Sequence, residues 1–433
     1  MGRVMVKRVL MVAFHFPPLR GSSGIQRSLS FVRQLPQLGW QPLVLTAHPR
    51  AYAQRGDDLT LPPDLPVRRA FALDTSRHLA WRGRYTRWLA LPDPWVSWCL
   101  GALPAGWLMV RRYRPQVLWS TYPIASAHLI GLLLHRCTGL PWIADLRDPM
   151  VDATVPVDPL KRRVYTWLER QMVRHCAALV FTSPGTLRLY AERYPALPRE
   201  RLLLIENGYD EDDFRAAALI QAQAEAPSPR APGPLRLLHS GAIYPSERDP
   251  LPLFAALAAL KRLGVISAQR MQLVLRATGH DDYLAPLLRQ HGLDDLVTLA
   301  PHLPYHAALA EMMEADGLLL LQAANCNHQL PAKLYECLRA GRPVLGLTDA
   351  AGDSAAALRH AGIDTIAALA DADAIIAALP HFLTLLEQGG APLPQAAAVA
   401  ACSRRARSVQ LAALLDRVAD HAAVPATAIH RRT

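Results

Sequence analysis

Short apolar runs alternate with longer amphipathic stretches along this chain. Runs at 9–14, 42–46, 117–120, 141–145, 178–182 and 202–205 have the length and the unbroken hydrophobicity of strands buried on both faces. Stretches with helical spacing lie between several of them, at 24–38, 123–137, 159–175 and 184–194. Strand–helix alternation of this kind predicts a parallel sheet covered by helices on both sides.

The alternation then breaks. Residues 216–234 hold Ala217, Ala218, Gln221, Gln223, Pro227, Ser228, Pro229, Pro232 and Pro234, a composition that suits an exposed linker. Beyond it the pattern restarts, with strands expected at 235–239, 271–277, 297–299, 317–321 and 343–347. Helices are expected at 251–263, 283–291, 305–315 and 332–340, and the alanine-rich stretch 394–423 reads as one or two more. The expected organisation is therefore an α/β N-terminal domain over 1–215, a linker over 216–234 and an α/β C-terminal domain over 235–395. Helices in 396–433 should cross back onto the first domain. Two such domains leave a cleft, where ligands commonly bind.

Composition narrows this picture. With 433 residues, 51% hydrophobic and 19% charged, the chain can bury large cores, and global disorder is excluded. The formal net charge of +11 invites a nucleic-acid reading. Yet only Lys7, Lys161, Lys261 and Lys333 are lysines among the 47 basic residues, and the rest are arginines spread through the chain. That is a compositional bias rather than a polybasic tail, and no nucleic-acid partner is expected. The six cysteines form no C-x-x-C pair, so neither a zinc site nor a disulfide framework is expected; buried thiols of a cytoplasmic protein fit better. The basic and apolar start resembles a signal peptide but lacks a small-residue cleavage site, and 7–14 reads better as the first strand.

No stretch has the ~18 consecutive apolar residues of a spanning helix. One region stands out: Trp81, Trp88, Trp95, Trp98 and Trp107 are interleaved with Arg82, Arg84, Arg87, Arg111, Arg112 and Arg114. Two readings fit it. One is a helical subdomain that packs its tryptophans inside; the other is a segment lying on the inner-membrane surface.

Motifs exclude several chemistries. The loop after the first strand, Arg20-Gly21-Ser22-Ser23-Gly24, is not G-x-G-x-x-G, so a dinucleotide cofactor has no support. Neither G-x-x-x-x-G-K-[ST] nor G-x-S-x-G occurs. A glycine-rich turn between strand and helix can still present bare amides to an anion. The second half repeats the arrangement: Gly241 follows a strand, and Arg248 lies seven residues on. Further along, Pro331 through Leu345 places Lys333 and Glu336 three apart on one helix face, between a helix-starting proline and the C-capping Gly341. On spacing alone that pair also fits a solvent-exposed intrahelical ion pair. Asp210-Glu211-Asp212 and Asp371-Ala372-Asp373 match D-x-D, but as surface loops; no metal is expected. His128 falls in a helical pattern and reads as structural, whereas His15 follows the first strand.

Taken in order, these blocks resemble glycosyltransferase family 4, whose fold is GT-B, two Rossmann-like parallel-sheet domains facing a cleft. The matching blocks are Phe16-Pro17-Pro18 with Gly21 and Gly24, residues 139–149 containing Asp145-Leu146-Arg147-Asp148-Pro149, residues 205–210, residues 241–250 and residues 331–345. The Asp145-to-Pro149 block is similar to a bacterial surface-polysaccharide subgroup. The resemblance implies a metal-independent, cofactor-free, retaining transfer of a sugar from a nucleoside-diphosphate sugar to a glycan or lipid-linked acceptor. It also implies a cytoplasmic setting, with the inner-membrane surface as a further partner. Gly21, Gly24, Gly241, Arg248, Lys333 and Glu336 would hold the donor, Glu336 by its ribose. Asp145, Arg147 and Asp148 would serve on the acceptor side, although Asp145 also fits a structural cap of the loop after its strand.

Two positions depart from the family pattern. His328 stands where the first Glu of E-x7-E is expected, and Ala242 where relatives often carry Arg. They keep two other readings in view. One is an epimerase of the same fold, for which no acid/base set is visible; the other is a non-catalytic nucleotide-binding partner subunit.

Overall fold

The computed structural model describes residues 6–20, 23–56, 59–152, 155–223 and 233–423. The chain divides into two compact units, Met1–Glu206 together with Arg404–Thr433, and Asn207–Ser403.

The first unit is built on seven strands: β1 (Lys7–Val12), β2 (Trp40–Ala47), β3 (Val67–Ala70), β4 (Val117–Thr121), β5 (Trp142–Leu146), β6 (Ala178–Phe181) and β7 (Leu202–Leu204). They form one parallel sheet in the order β3-β2-β1-β4-β5-β6-β7, with Val9 opposite Pro42 on one side and Val117 on the other. Successive side chains of a strand point to opposite faces, and β1 shows what each face buries. Val9 and Met11 join Phe31 and Val32 of helix Ser23–Gln34 and Leu411 and Leu415 of helix Arg404–Ala423. Leu10 and Val12 join helices Trp98–Tyr113, Ala125–Thr138 and Pro159–His175 through Trp98, Ile130 and Leu168. The helix at Pro159 begins where the sequence says it should: the Asp158 carboxylate accepts the Lys161 N–H at 2.9 Å, and proline occupies the first turn.

The second unit holds six further strands: β8 (Leu235–Ser240), β9 (Met271–Arg276), β10 (Val297–Ala300), β11 (Gly317–Gln322), β12 (Val344–Thr348) and β13 (Ile366–Ala367), in the order β10-β9-β8-β11-β12-β13. All of these pairings are parallel. Leu237 and Leu238 again face opposite layers, one with Phe254, Leu379 and Phe382, the other with Leu309, Leu334 and Leu358.

Three expectations need correction. The segment read as linker from 216 continues as helix Glu211–Gln223, because Phe214 and Ala217 are buried against Leu309 and Leu338 of the second unit; the rest of the expected linker, 224–232, lies outside the described residues. Of the tail expected to leave the second domain at 396, helix Ala396–Ala401 stays with it through buried Ala398, and only helix Arg404–Ala423 packs into the first unit. The tryptophans of the Arg/Trp region are not all packed inside: Trp98 is buried, but Trp81, Trp88 and Trp107 are exposed. Strands β3 and β13 were not foreseen. Both are short edge strands without a long apolar run.

The first unit thus depends on a helix that arrives from the far end of the chain. Leu415 is fully buried there, so Leu415→Ala should lower stability by about 2–5 kcal/mol, read as a shift of the urea midpoint at unchanged slope.

Candidate functional site

In open parallel sheets, ligands bind outside the carboxyl ends of the strands where the strand order reverses. The first unit reverses between β1 and β4, and the second between β8 and β11. The candidate residues fall at these two places, and each unit is described by itself.

In the first unit the chain leaves β1 through buried Phe14 and Phe16 with His15 between them. Gly24 sits in the first turn of the following helix, and a Cβ there would collide with the Arg147 guanidinium and lie 3.0 Å from His15 Nδ1. Glycine at 24 is what lets Arg147 lie against the helix. Burial holds His15 far below the usual imidazole range, at about 3, and Arg147 adds to the effect. Burial likewise lowers Arg147, while Asp148 beside it acts in the opposite direction. The Thr182 hydroxyl donates to the Arg147 carbonyl and fixes the loop after β5. Gly21 lies outside the described residues.

Asp145 is the correction in this unit. Its exposure is 0%. Arg27 binds it through two bonds, Nη2 to Oδ1 at 2.7 Å and Nε to Oδ2 at 3.0 Å, and Thr121 Oγ1 donates to Oδ2 at 2.8 Å. Arg27 also donates to the carbonyls of Ile205 and Glu206, both at 2.9 Å. The resemblance puts Asp145 on the acceptor side, but a carboxylate with no exposed surface, turned inward to Arg27 and Thr121, does not reach a substrate. It ties the ends of β4 and β5 to the helix after β1, and so positions Arg147 and Asp148. Arg27 was missed, because nothing in its spacing distinguishes it from the other arginines. His128 is structural as expected: it is buried, with Nδ1 2.8 Å from the Ser120 hydroxyl, and burial lowers it to about 4.

In the second unit Gly241 ends β8 with φ of 141°, in the range that favours glycine. Its N–H donates to the Arg276 carbonyl at 2.9 Å. Arg276 is in turn clamped to Glu311 by bonds of 2.8 and 2.6 Å. A Cβ at 241 would lie 3.4 Å from Lys333 Cε, so the Lys333 side chain crosses directly over this bare backbone. Lys333 Nζ donates to Glu336 Oε2 at 2.6 Å, and the Tyr305 hydroxyl donates to Glu336 Oε1 at 2.9 Å. Glu336 is only 7% exposed, so this is not a solvated surface pair. Burial pulls the Lys333 ammonium down, but the charge and hydrogen bond of Glu336 outweigh it and the net shift is upward. Tyr305 was also missed; it lies 31 residues from Glu336 and meets it only through the fold.

Arg248 closes the loop after β8. Its Nη1 donates to the Ala242 carbonyl at 3.1 Å, and its buried Nε has no partner among the described residues. Below lies His239, buried at the end of β8, with Nδ1 3.1 Å from the Leu319 carbonyl. Burial lowers His239 to about 4, helped by Arg248 and Lys333, so it adds no proton to this cationic corner at neutral pH. The D-x-D matches serve as helix starts: Asp371 accepts the N–H groups of Asp373 and Ala374, and Glu211 pairs with Arg339. Among the described residues, no three acidic, histidine or cysteine side chains gather as a metal would require. The six cysteines are free thiols. No helix among the described residues is long and apolar enough to cross a membrane.

Known structures share this architecture. A sucrose-phosphate synthase from Thermosynechococcus elongatus superposes with a TM-score of 0.64 at 15% identity, over 96% of this chain and 100% of that one. A UDP-forming α,α-trehalose-phosphate synthase from Burkholderia xenovorans gives 0.65 at 11% identity over the same shares. The Anabaena protein HepE in complex with UDP gives 0.57 at 12% identity over 96% and 98%. At these identities the likeness establishes the fold, which is GT-B. Residues 23–208, most of the first unit, match the family model of a glycosyl transferase 4-like domain. No curated protein matches the chain.

Two outcomes follow from this geometry. Asp145→Ala strands the buried Arg27 charge and should cost about 3–5 kcal/mol in urea unfolding. The buried histidines set a pH dependence. His15, His128 and His239 have folded values of about 3, 4 and 4 against an ordinary 6.5, so below 6.5 the unfolded chain takes up protons that the folded chain refuses. Stability should therefore fall as pH drops from 6.5 towards 4, at up to ~1.4 kcal/mol per unit for each histidine. Urea midpoints at pH 7, 6 and 5 read this before most carboxylates titrate, and a flat profile would contradict neutral burial.

Proposed function

We propose that this chain is a retaining glycosyltransferase that moves a sugar from a nucleoside-diphosphate sugar to the hydroxyl of a glycan or lipid-linked acceptor in cell-surface polysaccharide synthesis. The observation that carries the reading is the corner at the β8–β11 reversal, where Lys333 lies over the bare backbone of Gly241 and Arg248 has an unpartnered buried Nε. Two cations beside backbone that carries no side chain suit a diphosphate, which can approach closely there. Glu336, held by Tyr305 and Lys333, is a pre-oriented carboxylate that suits a pair of vicinal hydroxyls such as those of ribose.

In this reading the bond from the anomeric carbon to the phosphate oxygen breaks, and its electron pair leaves on the diphosphate. The acceptor oxygen forms the new bond on the same face and gives up its proton. Charge builds on the leaving phosphate, and fixed cations in place before the reaction stabilise that charge more than they stabilise the ground state. Lys333, Arg248 and the amides at the start of helix Ala332–Ala340 supply this without a metal. Arg147 and Asp148 act on the acceptor. Asp145 holds them in place and touches no substrate. Gly24, expected on the donor side, makes room for Arg147 by its missing side chain and so serves both.

Thermal melting with UDP, GDP, ADP and their sugar conjugates tests the donor site. At least one should raise the melting temperature, and Lys333→Ala or Arg248→Ala should weaken that ligand by roughly 10–100-fold, the loss of one charge-assisted hydrogen bond. Absence of any shift would overturn the donor assignment. Incubation of the stabilising sugar nucleotide with a membrane extract should place label in an acceptor with the anomeric configuration of the donor. Label that stays on the nucleotide as an epimer would point to an epimerase instead.

A further inference from the structure

The first unit carries a surface that the donor chemistry does not use. Trp81 and Trp88 are 79% and 68% exposed, and Trp107 and Leu108 project from helix Trp98–Tyr113 at 43% and 56%. Large apolar side chains left exposed together, beside basic residues, mark a surface that meets a partner or a membrane. We propose that this face docks on a bilayer surface bearing anionic headgroups, with the tryptophans seated at the headgroup level and the arginines pairing with lipid phosphates.

The distribution of charge carries the inference. Between 75 and 114 the chain has Arg77, Arg82, Arg84, Arg87, Arg111, Arg112 and Arg114 and a single acid, Asp93. Asp93 is buried, accepting from the Ser126 amide at 2.6 Å, the Ser126 hydroxyl at 2.9 Å and the Trp95 amide at 3.0 Å, so it offers the surface no negative charge. The neighbouring helix Pro159–His175 repeats the pattern. Its one acid, Glu169, is buried under Tyr190, Arg193 and Tyr194, while Trp167 is exposed. Asp158 at its start is paired with Arg87, which ties the Trp88 turn to this helix. Helices Trp98–Tyr113 and Pro159–His175 belong to the same core layer, on one face of the sheet.

The chemistry of the exposed groups selects the occupant. Tryptophan beside arginine is the composition of membrane interfaces, and Arg111 lies over the Trp107 ring at 5.1 Å, an arrangement that lets ring and cation share one depth. Leu100, Trp107, Leu108 and Arg111 share one exposed stripe of a helix too short to span a bilayer, as suits a segment lying in its plane. A second copy of the chain fits poorly, because a two-fold contact would set arginines against arginines. The aliphatic stripe offers a nucleic acid nothing to bind.

Flotation of the full chain with vesicles tests this. Vesicles of phosphatidylglycerol and phosphatidylcholine should carry the protein with them and shift its tryptophan emission to the blue; pure phosphatidylcholine should do neither, and added salt should release it. Trp81→Ala with Trp88→Ala, and separately Arg111→Glu with Arg112→Glu, should each weaken binding by roughly tenfold or more at an unchanged melting temperature. No flotation, equal flotation on the two vesicle types, or full binding by both variants would overturn the inference. So would a dimer in sedimentation that the tryptophan variant dissolves. The assay reads vesicle binding alone, so the donor site could fail its own test without touching this one, and the reverse.

Discussion

A buried charge must be answered, and in the first unit that requirement organises everything at the carboxyl ends of the strands. Asp145 sits at the end of β5 with no exposure and is answered by Arg27 from the helix after β1 and by Thr121 at the end of β4. Removing either ion leaves the other uncompensated in a medium of low dielectric, which is far more costly than the net gain of forming the pair. The pair therefore acts less as glue than as a register. It admits only the arrangement in which three segments from distant parts of the chain meet. Arg147, two residues beyond Asp145, then has a fixed place against Gly24, where no other residue type would leave room for the guanidinium.

The second unit solves an equivalent problem with different atoms. Gly241 takes a backbone conformation that side chains resist, and its amide is anchored on Arg276, itself clamped by Glu311. This leaves a stretch of bare backbone with Lys333 above it. Glu336 is nearly buried and needs partners, and Tyr305 and Lys333 provide them. The same carboxylate thus orients the lysine and is oriented by it. In the loop after Gly241 the carbonyl of Ala242 receives Arg248. The cation of the loop is supplied from one turn further along, by a side chain folded back on the turn it serves.

Much of this was legible in the sequence. Every apolar run expected as a strand is one, and helices such as Pro159–His175 and Ala332–Ala340 begin and end where their prolines, caps and Gly341 indicate. Gly241, Lys333 and Glu336 could be chosen because a strand end, a helix face and a family pattern converged on them. What could not be read was partnership across sequence distance. Arg27 and Asp145 are 118 residues apart, and Tyr305 and Glu336 are 31 apart. No local pattern separates a buried arginine from a solvated one in a chain so rich in arginine. The two readings of Asp145, acid–base group and structural cap, are separated for the same reason only by its burial. From 216 onward the helix reads as linker because alanine and glutamine suit both, and the decision lies with Phe214 and Ala217, which find a core to enter.

The same partition of charge explains the net value of +11 better than any single partner does. In the first unit Asp93, Asp145 and Glu169 are inside, each engaged by amides, hydroxyls or arginine. Asp145 and Glu169 project little field because an arginine within hydrogen-bond distance offsets each, and Asp93 is held inside among neutral donors. Between 75 and 114 the chain carries seven arginines, of which Arg87 pairs with Asp158, while the one acid of that segment, Asp93, is buried. The basic character is thus not spread evenly, as composition alone would imply. It is concentrated where acids have been drawn into the core, and that is also where the tryptophans stand exposed.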